Sequence, residues 1–170
     1  MKRIVQTQLK KASQIIELEP FGVTSGMDGA RPVMLFREKD GESILPVWLS
    51  PLDAGIALTQ HNVKASAISP HDVTLTILKE IGVTVESCHF TELRGHQQYV
   101  ELEFSGSRKL KTLRFRADHA ISFCLQARTR FFCTRSYLQE CRDVEASMGK
   151  LSEGLNPKLS GRKNTHPYLN

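Results

Sequence analysis

The chain has 170 residues, a mass of 19.1 kDa and a formal charge of +5. With 40% hydrophobic and 24% charged residues it has the make-up of one globular domain, long enough to close a core without disulfides or metals. No run approaches the ~20 apolar residues that cross a bilayer. Met1 to Ala12, with Lys2, Arg3, Lys10 and Lys11, lacks the apolar stretch of a signal peptide. A cytoplasmic protein with no membrane partner is therefore expected.

Gln14 to Thr24 is β-rich, with Pro20 marking a break or a sheet edge. The glycines between Ser25 and Arg31 make a loop. Pro32 to Glu38 and Ser43 to Leu49 read as the two strands of a hairpin around Lys39-Asp40-Gly41-Glu42. Trp48, between apolar neighbours, is expected in the core.

Two segments then share the pattern S-P-x-D, namely Ser50-Pro51-Leu52-Asp53 and Ser69-Pro70-His71-Asp72. Serine is a good helix N-cap, proline suits the first helical position, and an acid two residues on can reach back to the cap. Helices to about Gln60 and to Ile81 follow. In the second, Val73, Ile77 and Ile81 form one apolar stripe, and Gly82 ends it.

Val83 to Leu93, Gln97 to Phe104 and Leu110 to Arg116 read as three strands. Val100, Leu102 and Phe104 face inward, opposite Tyr99, Glu101 and Glu103. A helix over Asp118 to Arg128, a short buried segment Phe131-Phe132-Cys133 and a helix over Arg135 to Ser147 complete the domain, taken as residues 1–148. The Gly-, Ser-, Asn- and Pro-rich residues 149–170 read as a tail. Each half runs strands then helix, which leaves an internal duplication open. Cys88, Cys124, Cys133 and Cys141 show no C-x-x-C spacing and read as buried thiols. His61, His89, His96 and His166 have no ligand spacing and read as surface or turn residues.

Charge is concentrated. Between Ser105 and Arg135 stand Arg108, Lys109, Lys111, Arg114, Arg116, Arg128, Arg130 and Arg135 against one acid, Asp118. This net of +7 leaves −2 for the rest of the chain. Such a segment is either a solvated face or a surface for RNA or DNA. Lys109, Lys111, Arg114 and Arg116 are the candidate nucleic-acid-binding residues.

The run Arg31-Pro32-Val33-Met34-Leu35, the block Leu45-Pro46-Val47-Trp48-Leu49-Ser50-Pro51-Leu52-Asp53-Ala54, the later Ser69-Pro70-His71-Asp72-Val73 and the segment Arg114 to Leu125 occur in an order that resembles the bifunctional nuclease family, also catalogued as a domain of unknown function. The resemblance spans about Ile15 to Met148. It implies an α/β (α+β) fold with a curved, mainly antiparallel sheet and packed helices, and a homodimer. Plant members are described as degrading both RNA and DNA. The chain departs from the family pattern at Asp53, where glutamate is usual, and at Ala67, where arginine is usual. In place of the third motif, Asp-x-Arg-Pro-Ser-Asp-Ala-Ile, it has Arg114-Phe115-Arg116-Ala117-Asp118-His119-Ala120-Ile121.

Two functions are expected from these residues. The first is a nuclease of low sequence specificity hydrolysing phosphodiester bonds in RNA and/or DNA, with His71, Asp72, Asp118 and His119 as catalytic residues in one cleft. Mg²⁺ or Mn²⁺ on Asp53 and Asp72 would be one source of activated water, and histidine acid–base pairs another. The alternative is a non-catalytic nucleic-acid- or protein-binding module. For Asp53 and Asp72 there is also a purely structural role in helix capping.

Overall fold

A computed structural model describes residues 14–25, 31–62 and 69–143; the expected tail and the end of the last helix lie outside the described residues. Seven strands form one sheet: β1 (Ile15–Ser25), β2 (Pro32–Glu38), β3 (Ile44–Trp48), β4 (Thr84–Arg94), β5 (Gln97–Ser105), β6 (Thr112–Arg116) and β7 (Arg130–Thr134). Their spatial order is β3-β2-β1-β7-β4-β5-β6. Three helices are α1 (Pro51–Asn62), α2 (Asp72–Glu80) and α3 (Ala117–Gln126), and α4 covers 135–143 among the described residues.

The order of elements repeats. β1-β2-β3 is an antiparallel meander followed by α1, and β4-β5-β6 is an antiparallel meander followed by α3. The two meanders meet on β7, antiparallel to β1 and parallel to β4. This is the curved, mainly antiparallel α+β architecture that the sequence implied. Phe131-Phe132-Cys133, read only as a buried segment, is the middle of the central strand. Pro20 lies past Leu18, the last residue of β1 paired to β7, so its missing N–H faces no strand on that side. The register of β1 against β2 shifts between Pro20 and Gly22.

The sheet curls around an aromatic centre. The Phe36 ring lies 5.5 Å from that of Phe90 and 4.8 Å from that of Phe131. Met34, Leu45, Val47, Val100 and Ile121 are fully enclosed around them. From α4, Tyr137, Leu138 and Cys141 close the core. All four cysteines are buried, as expected. Burial pushes the Cys133 thiol up to about 12 and raises Cys88 as well. Neither is a thiolate nucleophile at neutral pH.

One expectation about packing is corrected, and one reading acquires a direction. Trp48 is half-buried, not core. No residue of α2 is buried, and Val73, Ile77 and Ile81 are 68%, 56% and 63% exposed. The stripe read from the sequence is real, but it points outward, away from the core.

One ion pair ties the ends of the domain together. Arg135, which opens α4, donates Nη1 to Glu38 Oε2 at 3.0 Å and Nη2 to Oε1 at 2.6 Å. Glu38 is buried, and the Arg135 guanidinium holds its carboxyl below the usual value. Its stabilisation is therefore present above the unfolded glutamate pKa of ~4.3 and lost as pH falls through the lower folded value. Arg135→Ala should cost about 1–3 kcal/mol at neutral pH, less than for a fully enclosed pair because Arg135 remains partly exposed. Urea unfolding should show that difference shrinking as pH falls below the ordinary glutamate range. An unchanged midpoint at neutral pH would remove the pair from the account.

Candidate functional site

The site is built where the starts of α1 and α2 meet the body of α3. Ser50 caps α1, its Oγ accepting the Asp53 N–H at 3.1 Å and donating to Asp53 Oδ2 at 2.5 Å. The other carboxylate oxygen of Asp53, Oδ1, accepts from Ser122 Oγ on α3 at 3.3 Å. Ser122 is fully buried, and its Oγ is also 3.0 Å from His71 Nε2. A continuous hydrogen-bonded chain thus joins Ser50, Asp53, Ser122 and His71 across three helices. Phe123 meets the His71 ring edge-on, with centroids 5.7 Å apart.

Asp72 behaves differently. Its Oδ2 accepts the Ser69 N–H at 2.8 Å, and Ser69 Oγ accepts the His71 N–H at 3.2 Å. This is a capping arrangement, although α2 proper begins only at Asp72 and His71 occupies the N-cap position. Asp72 Oδ1 accepts from Gln126 Nε2 on α3 at 2.6 Å. Every carboxylate oxygen of Asp53 and Asp72 is thus engaged by a protein donor. The expected Mg²⁺ or Mn²⁺ ligand pair does not fit this arrangement, and among the described residues no group of three His, Cys, Asp or Glu side chains comes together as a metal site.

Two clefts flank α3. The first is a groove of about 330 Å³ holding both His71 and His119, with Phe104, Phe115, Phe123, Leu110 and Leu113 among its walls. The second, of about 370 Å³, is lined by Arg31, Trp48, Ser50, His96, Arg116 and Asp118. Of the four expected catalytic residues, the structure brings His71 and His119 to one groove, puts Asp118 in the other cleft, and holds Asp72 on its cap. Asp118 accepts from Arg116 through both carboxylate oxygens, with Nε to Oδ1 at 3.0 Å. His119 is 63% exposed in its side chain, with Nε2 at 3.9 Å from Asp118 Oδ1.

Half of the cations in the basic segment are paired. Arg114 pairs with Glu92, Arg116 with Asp118, Arg130 with Glu17 and Arg135 with Glu38. Arg114 also lies over the Tyr99 ring, 4.7 Å from its centroid. It sits on the face of β6 opposite Leu113 and Phe115, which wall the groove. Arg108, Lys109, Lys111 and Arg128 are exposed and make no ion pair among the described residues. Three of these four, Arg108, Lys109 and Lys111, flank Leu110 in the chain, and Leu110 is among the walls of the histidine groove.

Sequence reasoning missed Ser122 and Gln126. A signal for Ser122 was present: it is the lone hydroxyl in the apolar helical run Ile121-Ser122-Phe123-Cys124-Leu125, and a buried hydroxyl needs a partner.

Residues 34–145 match the family model described as the bifunctional nuclease domain. Two Mycobacterium tuberculosis proteins, Uncharacterized protein MT1877 of strain CDC 1551 / Oshkosh and Uncharacterized protein Rv1829 of strain ATCC 25618 / H37Rv, are each 26% identical to the chain over 95 residues. The matched stretch covers 55% of this chain and 58% of either relative. Among the described residues no helix is long and apolar enough to cross a membrane.

Proposed function

The chain belongs to the bifunctional nuclease domain family, and from that premise we propose that it is a nuclease of low sequence specificity that hydrolyses phosphodiester bonds in RNA, DNA or both. One observation carries the reading. His71 and His119 line one open groove, and His71 is anchored from behind by Ser122 and Asp53. Two imidazoles on one groove can supply the base and the acid that cleavage of a phosphodiester uses. His71 takes the proton from a ribose 2′-hydroxyl or from water as its oxygen attacks phosphorus. Protonated His119 gives a proton to the departing oxygen. Arg108, Lys109 and Lys111, which flank the groove residue Leu110 in the chain, attract the backbone, while Phe104, Phe115 and Phe123 offer ring faces and edges to unstacked bases. This chemistry favours single strands.

The test is cleavage of labelled single-stranded RNA and DNA with Mg²⁺, Mn²⁺ or EDTA. Cutting is expected to persist in EDTA, and cyclic phosphate ends on RNA would identify the 2′-hydroxyl as the nucleophile. Cutting that EDTA abolishes would replace the two-histidine chemistry by a metal route. The basic residues around Leu110 make a separate prediction. The double variant Lys109→Ala, Lys111→Ala should weaken single-strand binding about uniformly across sequences. It should also flatten the plot of log affinity against log salt by ~1.4, at ~0.7 per lost phosphate contact. An unchanged slope would move the contact surface elsewhere.

A second reading draws on the outward stripe Val73, Ile77 and Ile81. An exposed apolar face on a helix with no buried residue is the mark of a protein-contact surface, and we assign it to a second copy of the chain. Sedimentation of the native protein decides this, since a monomer would remove the assignment. The four buried free thiols accord with a cytoplasmic site of action.

A further inference from the structure

The hydrogen-bonded chain behind His71 has a direction. Asp53, as a carboxylate, only accepts, so the proton between it and Ser122 belongs to the Ser122 hydroxyl. A hydroxyl has one proton. With that proton committed to Asp53, the Ser122 oxygen faces His71 Nε2 as an acceptor at 3.0 Å. Nε2 must then carry the imidazole N–H, and the unprotonated nitrogen of neutral His71 is Nδ1. Ser50 adds to the same polarity by donating to the second Asp53 oxygen.

Resting on the acid–base reading above, we propose that Ser122 is a positioning residue. With Asp53 it holds His71 in a single tautomer, Nε2–H, and so makes Nδ1 the nitrogen that takes the proton in the reaction. The partner of one ring nitrogen decides which form the other takes. Three features support a dedicated role. Ser122 is fully buried in an otherwise apolar helical run, it joins residues 69 and 51 positions away in the chain, and its hydroxyl serves both at once. No covalent step is asked of it, and its own oxygen is enclosed, so it is not the nucleophile.

The test uses the full chain with ¹⁵N-labelled histidine, wild type and Ser122→Ala, above the pH at which His71 is neutral. Two-bond ¹H–¹⁵N correlation spectra report the tautomer without any need for cleavage. Wild-type His71 is expected as Nε2–H alone, and Ser122→Ala as a mixture of both tautomers. Alanine is a strong helix former, so circular dichroism should be unchanged. Cleavage by Ser122→Ala should fall about 10- to 100-fold in kcat with KM little changed, the scale at which orienting partners act. A wild-type ring protonated on Nδ1, a wild-type mixture, or a Ser122→Ala spectrum identical to wild type would overturn the proposal. If the tautomers behave as stated but neither protein cleaves, the nuclease reading fails and the assignment of Ser122 stands.

Discussion

His71→Ala is expected to lower kcat/KM for single-stranded substrate by ~10²–10⁴, the range in which a positioned general base acts. Asp72→Ala, one residue away, should lower it far less. The two residues are neighbours with different partners. His71 projects its ring onto α3 at Ser122 and Phe123, on the wall of the groove. Asp72 gives one oxygen to the Ser69 N–H and the other to Gln126. Losing it removes a helix cap, worth about 0.5–2 kcal/mol. The comparison is therefore kinetic for one residue and thermodynamic for the other. Steady-state rates and urea midpoints on both variants separate them. Equal kinetic losses with equal stabilities would mean that Asp72 belongs to the chemistry and that the capping account of it is mistaken.

The largest stability effect is expected at Gly106. Its φ is +84°, in the left-handed region, and a Cβ built there would lie 1.8 Å from the Gly82 carbonyl oxygen and 3.3 Å from Val83 Cα. Both neighbours are backbone. Gly82, itself at φ +70°, ends α2, with its N–H on Lys79 O and the Val83 N–H on Leu78 O. The turn after β5 thus rests directly on the turn that enters β4, with no room for a side chain. Gly106→Ala combines the left-handed cost of roughly 1–2 kcal/mol with an overlap that only backbone movement relieves, typically 1–3 kcal/mol or more. A loss of roughly 3 kcal/mol is expected, or about 6–12 °C in Tm for a chain of this size. Gly95→Ala is the control: φ is +59° but nothing lies within 4 Å of the added carbon, so only the first cost applies, about 1 kcal/mol. Similar losses in the two variants would show that the β5 turn can move away from Gly82.

The elements that could be read from the chain were those with local punctuation. The hairpin of β2 and β3 is announced by Lys39-Asp40-Gly41-Glu42, and α1 and α2 by their S-P-x-D starts. β5 shows its inward face as alternation, with Val100 and Leu102 buried. β7 was harder because Arg130 to Thr134 is a short apolar run, and such runs do not separate strand from helix by period. Its place in the middle of the sheet depends on two partners, β1 and β4, far away in sequence. The stripe on α2 shows the complementary limit. Period 3.6 marks an apolar face, but it does not say whether that face meets the core or the outside.

The site was half legible for a similar reason. His71 and His119 stand in the motifs that carry the family resemblance, so both could be named in advance. The basic run was read as +7 because only Asp118 lies within it; Glu17, Glu38 and Glu92 reach it from other strands. That pairing neutralises Arg114 on the strand face and leaves Arg108, Lys109 and Lys111, the chain neighbours of the groove residue Leu110, without an ion pair among the described residues. Ser122 belongs to no motif, and its role exists only because α1, α2 and α3 converge.

The central claim is that this groove cuts nucleic acid with two histidines. Its most direct test is the cleavage of labelled single-stranded RNA and DNA by highly purified wild-type protein beside the double variant His71→Ala, His119→Ala, with EDTA present. Cutting by the wild type that the double variant loses is the predicted result. No cutting by either protein, or equal cutting by both, would contradict it and leave a binding module of the same fold.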